Sequence, residues 1–284
     1  MAVEINFEQK DIANKNLYGN FYSSNSKIRF FSIVINKFLE IKLRIKVFSI
    51  NIVRKFKRKI YSNEIPYESN MTIRTSLSNN YKKIKDDIEN KGYIFLKNFI
   101  NTNYYFNLKK SFPKTYELNK SKHSFKNYDM GYIYLKDRHN AIFQRKNYFS
   151  NFYDFIKSEE FEKEVSKIFN YKNNFFCRNI VTSCATKNSF LIPHKDSLSK
   201  ERKDLNLNFI YFIDGNDENI EYSGGTCIFN DNNGKEILLR PSTLKNSVLI
   251  YDNTRNFFHG FKILKKNCFR KAVTFQFNQI YKNN

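Results

Sequence analysis

The chain has 284 residues, of which 41% are hydrophobic and 27% charged, with a formal net charge of +22. This is enough chain for one large domain or two small ones, with apolar content to bury a sizeable core. No run approaches the roughly 18 consecutive apolar residues of a membrane-spanning helix, and the opening MAVEINFEQKD lacks the apolar core of a secretory signal.

The first distinct element is residues 27–61, where eleven Lys or Arg stand against one acid, Glu40. Phe30, Val34, Phe38, Ile41, Ile45, Phe48 and Ile52 recur at three- and four-residue steps, which predicts an amphipathic helix. Residues 41–47 also alternate as a strand would, but the length and continuity of the pattern favour helix. Such a helix either lies on an anionic membrane surface or polyanion, or packs its apolar stripe on the rest of the protein. Residues 62–79, with Pro66 and many Ser, Asn and Thr, read as a connector. The expected division is a basic extension over 1–79 and a main domain over 80–284.

In the main domain, SNNYKKIKDDIENKG predicts a helix with Ser78 as N-cap and Gly92 as stop. A strand follows at 93–100, a helix in NTNYYFNLKKSF, and another helix over 153–169 with Phe155, Phe161, Val165 and Ile168 as its core face. From about residue 175 the pattern changes to short strands, at 175–186, 205–213, 225–229, 236–239, 246–251 and 268–277, separated by turn signals such as DGNDEN and NDNNGK. That spacing predicts an α+β protein whose strands form a sandwich or barrel with the earlier helices packed on it. Cys177, Cys184, Cys227 and Cys268 form no CxxC and read as reduced thiols of a cytoplasmic protein.

The chemistry is concentrated in LIPHKDS, residues 191–197. On an extended segment, positions i and i+2 face the same way, so His194 and Asp196 can serve one ion. His123 and His139 lie in polar loops, whereas His259 follows the apolar run SVLIY, 63 residues beyond Asp196. Two imidazoles and one carboxylate on a face leave open positions on a non-haem Fe(II) ion, unlike the closed shell of structural zinc. In CFRKAVTFQFN, Arg270, Ala272, Thr274 and Gln276 share one face, opposite Phe269, Val273, Phe275 and Phe277. A polar face turned into a barrel lines a ligand cavity, and a guanidinium there grips a carboxylate with two hydrogen bonds. The Gly224–Gly225 pair allows a close backbone approach, a bulge or a plain turn. The abundance of Lys, Asn, Ile and Phe without Trp is what an AT-rich coding sequence produces, so the basic charge does not by itself assign an anionic partner.

Taken in this order, HxD, the distal histidine and the arginine 11 residues beyond it resemble the Fe(II)- and 2-oxoglutarate-dependent oxygenases, in particular their prolyl-hydroxylase-like and phytanoyl-hydroxylase-like branches. The resemblance extends over KGYIFLKNFI, NLNFIYFID, YSGGTCIF and RPSTLKNSVLIYDN, roughly residues 80–280. It implies a double-stranded β-helix of the jelly-roll, cupin-like kind. His194, Asp196 and His259 would be the catalytic Fe(II) ligands, and Arg270 would hold the 2-oxoglutarate, with Asn208 and Thr274 as further contacts. O₂ would be consumed and an unactivated C–H bond of a small-molecule or lipid-linked substrate hydroxylated, with succinate as co-product. Ala272 departs from the Arg-x-Ser/Thr of many relatives. Gln276 stands where the nucleic-acid demethylase branch has a second Arg, so nucleic acid is not an expected substrate. Asp196 argues for oxygen transfer rather than halogenation. Tyr132, Tyr134, Arg138 and Arg145, in a segment where relatives carry a lid, and Arg178 on the first barrel strand, are candidate substrate contacts. The competing reading is a catalytically silent β-helix that binds a membrane or polyanion through 27–61.

Overall fold

The computed structural model describes residues 45, 48–49, 52–53, 67, 71–114, 117–120, 127–128, 131–134, 146–170, 174–187, 189–196, 205–262 and 264–280. Of the helix predicted within 27–61, Ile45, Phe48, Ser49, Ile52 and Val53 are described, and all five are helical. The other residues of that segment lie outside the described ones.

Helix α1 spans Tyr81–Asn90 and buries Ile84 and Ile88, one turn apart. Gly92 ends it in the left-handed region at φ 84°, and the N–H groups of Lys91 and Gly92 both donate to the Asp87 carbonyl. The N-cap is Asn80 rather than Ser78, whose hydroxyl donates instead to the Thr75 carbonyl. Strand β1 (Tyr93–Lys97) and helix α2 (Thr102–Ser111) follow. Three short strands, β2 (Asn119–Lys120), β3 (Asn127–Tyr128) and β4 (Gly131–Tyr134), fall where no strand is expected from the sequence, β4 within the segment where relatives carry a lid. The helix expected over 153–169 is two helices, α3 (Tyr148–Ile156) and α4 (Glu159–Lys167). Ser158 breaks the run: it adopts extended φ/ψ and caps α4 by accepting from the Phe161 N–H.

The remaining strands are β5 (Asn174–Ala185), β6 (Phe190–His194), β7 (Asn206–Gly215), β8 (Cys227–Phe229), β9 (Ile237–Leu239), β10 (Ser247–Asp252), β11 (Phe258–Phe261) and β12 (Arg270–Ile280). They form a seven-stranded sheet in the order β1-β10-β7-β12-β5-β4-β2 and a five-stranded sheet in the order β3-β6-β11-β8-β9. Every pairing is antiparallel.

Strand periodicity divides the apolar residues between two layers. Phe209, Tyr211, Val273, Phe275 and Phe277 turn to the outer face of the large sheet, where Leu108, Phe152, Ile156 and Phe161 of the helices cover them. Ile210, Phe212, Leu249, Tyr251 and Ala272 turn inward and meet Ile228 of the small sheet. Strand β7 is buried along its whole length because both of its faces are covered. Ile73 and Leu77 belong to the outer core and Thr75 pairs with Ile100, so packing against the helical layer begins before residue 80. All four cysteines are free thiols, and no described helix is long and apolar enough to cross a membrane.

Candidate metal centre

The site is built at one end of the interior. His194 closes β6 and His259 lies on β11, and the two are direct cross-strand partners with ring centroids 4.4 Å apart. Asp196 stands two residues past His194, on the same side of the chain. Lys195, between them, points the other way, donates to the Asn256 side-chain oxygen and lies 4.5 Å from the Phe258 ring centroid. Asp196 Oδ1 is 3.6 Å from His194 Nε2 and 3.8 Å from His259 Nε2. One ligand atom from each of the three residues lies within 4.8 Å of the others. His259 sits on a strand of its own, separated from β10 by a turn at 253–257, and not at the end of the apolar run before it.

The carboxylate is held ionised. Its removal from water pushes the Asp196 carboxyl up, but the imidazoles of His194 and His259 and the Asn208 amide outweigh this and hold it well below the usual carboxylate range. Asn208 Nδ2 donates to Asp196 Oδ2 at 2.9 Å and to Tyr251 Oη at 2.9 Å. Tyr251 is 2% exposed, and burial, then the nearby Asp196 charge, keeps its phenol protonated far above the normal range. Asn208 faces inward, as the alternation of β7 predicts, with Tyr211 on the opposite face. The resemblance makes its amide a cosubstrate contact, whereas both amide hydrogens engage Asp196 and Tyr251. Tyr251 itself was not singled out, although it ends an apolar strand on the face shared with Leu249.

Arg270 opens β12 and is 3% exposed. Its guanidinium carbon lies 5.4 Å from the Phe212 ring centroid on the large sheet and 4.9 Å from that of Phe261 on the small one, so it occupies the space between the sheets. Phe261 is two residues beyond His259 on the same strand, a step of roughly 7 Å, which sets the cation deeper than the histidines. Gly224, at φ 83°, passes so close that an added Cβ would lie 3.2 Å from Arg270 Cδ and 3.1 Å from Leu264 Cδ1. Thr274 is half-buried on the inner face, opposite Ile210.

The donor set fits a non-haem Fe(II) ion: two imidazole nitrogens and one carboxylate oxygen, with no thiolate among them. A buried cation between aromatic faces one step deeper fits the free carboxylate of a dicarboxylic acid. Of the candidate substrate contacts, Arg178 is exposed on β5, and Tyr132 and Tyr134 lie on β4, which pairs with β5. Arg138 and Arg145 lie outside the described residues.

No family model matches the sequence, and no curated protein matches it. Solved structures do match in fold. A prolyl-4-hydroxylase from Pseudomonas putida superposes with a TM-score of 0.52 at 9% identity, covering 71% of this chain and 100% of that one. HygX from Streptomyces hygroscopicus, with nickel and 2-oxoglutarate bound, superposes with a TM-score of 0.51 at 10% identity, covering 70% of this chain and 87% of that one. These likenesses show the double-stranded β-helix fold expected from the sequence.

Proposed function

We propose that this chain is an Fe(II)- and 2-oxoglutarate-dependent oxygenase that hydroxylates an unactivated C–H bond of a small-molecule or lipid-linked substrate in the cytoplasm. The observation that carries the reading is the convergence of His194, Asp196 and His259, from β6 and β11, with ligand atoms within 4.8 Å. In this reading the three side chains hold the iron and leave coordination positions open for cosubstrate and O₂. Arg270 fixes the far carboxylate of 2-oxoglutarate in the dry space between the sheets, where a charge-assisted contact is strong, and Thr274, four residues on along the inner face of β12, is a further cosubstrate contact. When bound, iron, 2-oxoglutarate and O₂ together supply the oxidising power for hydroxylation, and 2-oxoglutarate leaves as succinate and CO₂. The interior of Ile210, Phe212, Leu249 and Ala272 excludes water from that chemistry. Tyr132, Tyr134, Arg138, Arg145 and Arg178 are the proposed substrate contacts.

Anaerobic titration with Fe(II) and 2-oxoglutarate tests the reading through the metal-to-ligand charge-transfer absorption of the chelate. The band is expected in the wild type and absent from His194→Ala. A wild type with no band and no 2-oxoglutarate-dependent succinate would overturn the reading in favour of a catalytically silent barrel.

A separate observation supports peripheral contact with an anionic membrane. Ile45, Phe48, Ile52 and Val53 are helical and 63, 67, 41 and 54% exposed. They lie in the stretch with eleven basic residues and one acid. An interfacial helix combines these features: apolar side chains to enter the bilayer boundary and cations to meet anionic headgroups. Co-sedimentation with vesicles containing phosphatidylserine is expected, and Phe48→Glu should weaken it several-fold. Equal binding by that variant would remove the helix from the account.

A further inference from the structure

We infer that Asn208 and Tyr251 are positioning residues that restrict Asp196 to a single metal-binding oxygen. The inference rests on the reading of His194, Asp196 and His259 as a metal site, and goes beyond it by naming what sets the number of open positions.

The two carboxylate oxygens of Asp196 have different surroundings. Oδ1 faces both imidazoles, at 3.6 and 3.8 Å. Oδ2 accepts from the Asn208 amide at 2.9 Å. An ionised carboxylate only accepts hydrogen bonds, so the amide nitrogen and not its oxygen must face it. The second hydrogen of that nitrogen goes to the Tyr251 hydroxyl at 2.9 Å, which fixes the rotation of the amide. Asn208 and Tyr251 are direct partners on β7 and β10, each 2% exposed. The pair is therefore a rigid platform on the large sheet, reaching across to a carboxylate from the small one.

Asp196 needs such a platform. It stands beyond the last residue of β6, and 40% of its side chain is exposed. Carboxylates bind cations through one oxygen or two. A freely turning Asp196 would present both and take up a position that the cosubstrate or O₂ requires. With Oδ2 engaged by Asn208, only Oδ1 is offered. Tyr251 contributes a second restraint on the same centre, since its ring centroid lies 5.4 Å from that of His259.

The test uses the metal-free protein and Co(II), whose d–d absorption reports both affinity and coordination number. Asn208→Leu is expected to bind Co(II) about 10- to 100-fold more weakly, with an altered band shape. Tyr251→Phe, which removes one hydroxyl, should shift affinity in the same direction by a smaller factor. The double variant should bind no more weakly than Asn208→Leu alone, because the hydroxyl acts through the amide. A purely structural role would lower the melting temperature without changing the spectrum of the bound ion. If both single variants bind Co(II) with wild-type affinity and spectrum, the positioning role is overturned. If Asn208→Leu does not fold, Tyr251→Phe alone decides. A wild type that takes up no Co(II) overturns the metal reading itself.

Discussion

The two faces of the large sheet carry the same strands and opposite tasks. On the outer face, Phe209, Phe275 and Phe277 join Phe99 and Phe161 in a continuous aromatic cluster, with Phe209 and Phe275 stacked at 4.9 Å. On the inner face, one residue away along the same strands, Asn208, Arg270, Thr274 and Gln276 interrupt the apolar surface. The comparison teaches that period-2 alternation lets one strand supply stability to one side and polar chemistry to the other without either compromising its neighbour.

If this division holds, substitutions on the two faces should separate activity from stability. The largest effect is expected from His194→Ala or His259→Ala, which should reduce 2-oxoglutarate-dependent succinate formation to background while the melting temperature moves little. Phe275→Ala should do the reverse. Phe275 is fully buried, and its loss should cost about 3–5 kcal/mol by denaturant unfolding, with Co(II) affinity of the folded protein retained. A collapse of metal binding in this variant would break the division. Arg270→Ala sharpens it from the inner side. Losing a charge-assisted contact of about 1.5–3 kcal/mol should raise the 2-oxoglutarate needed for half-maximal charge-transfer absorbance by roughly 10- to 100-fold.

The smallest effect belongs to the helical cover. Burial pushes the Glu164 carboxyl up, against the opposing pull of the Thr75 hydroxyl bound at 2.7 Å and of Lys167. The folded state thus holds its proton more tightly than the unfolded state. Its contribution is fully favourable below the unfolded carboxyl pKa of roughly 4.3 and is lost as pH rises through the higher folded value. Glu164→Gln should remove that loss. Its melting temperature relative to wild type is expected to rise between pH 4 and neutrality, and a constant difference across that range would contradict the assignment.

Much of the site was legible because its signals are local. A chain with four histidines that places one two residues before an aspartate, after an apolar run, marks that segment from sequence alone. The alternation around Arg270 marked the inward face of β12 in the same way. Ser158 showed a weaker side of such reading: the apolar periodicity of 153–169 continues past it, but its side chain caps a new helix. The partnership of Asn208 with Tyr251 depends on register between strands 43 residues apart, and no local pattern encodes which two residues will face each other. The same limit hid β2, β3 and β4, whose short segments become strands because β5 offers an edge to β4, β4 to β2 and β6 to β3.

The outward-pointing Lys195 has a consequence for how the centre is assembled. By reaching from the ligand-bearing end of β6 to Asn256 and Phe258, just ahead of His259, it fastens the two halves of the triad together from behind. The entropic cost of bringing these chain ends together is then met while the polypeptide folds. An arriving cation finds its nest already shaped, and more of its intrinsic attraction appears as affinity.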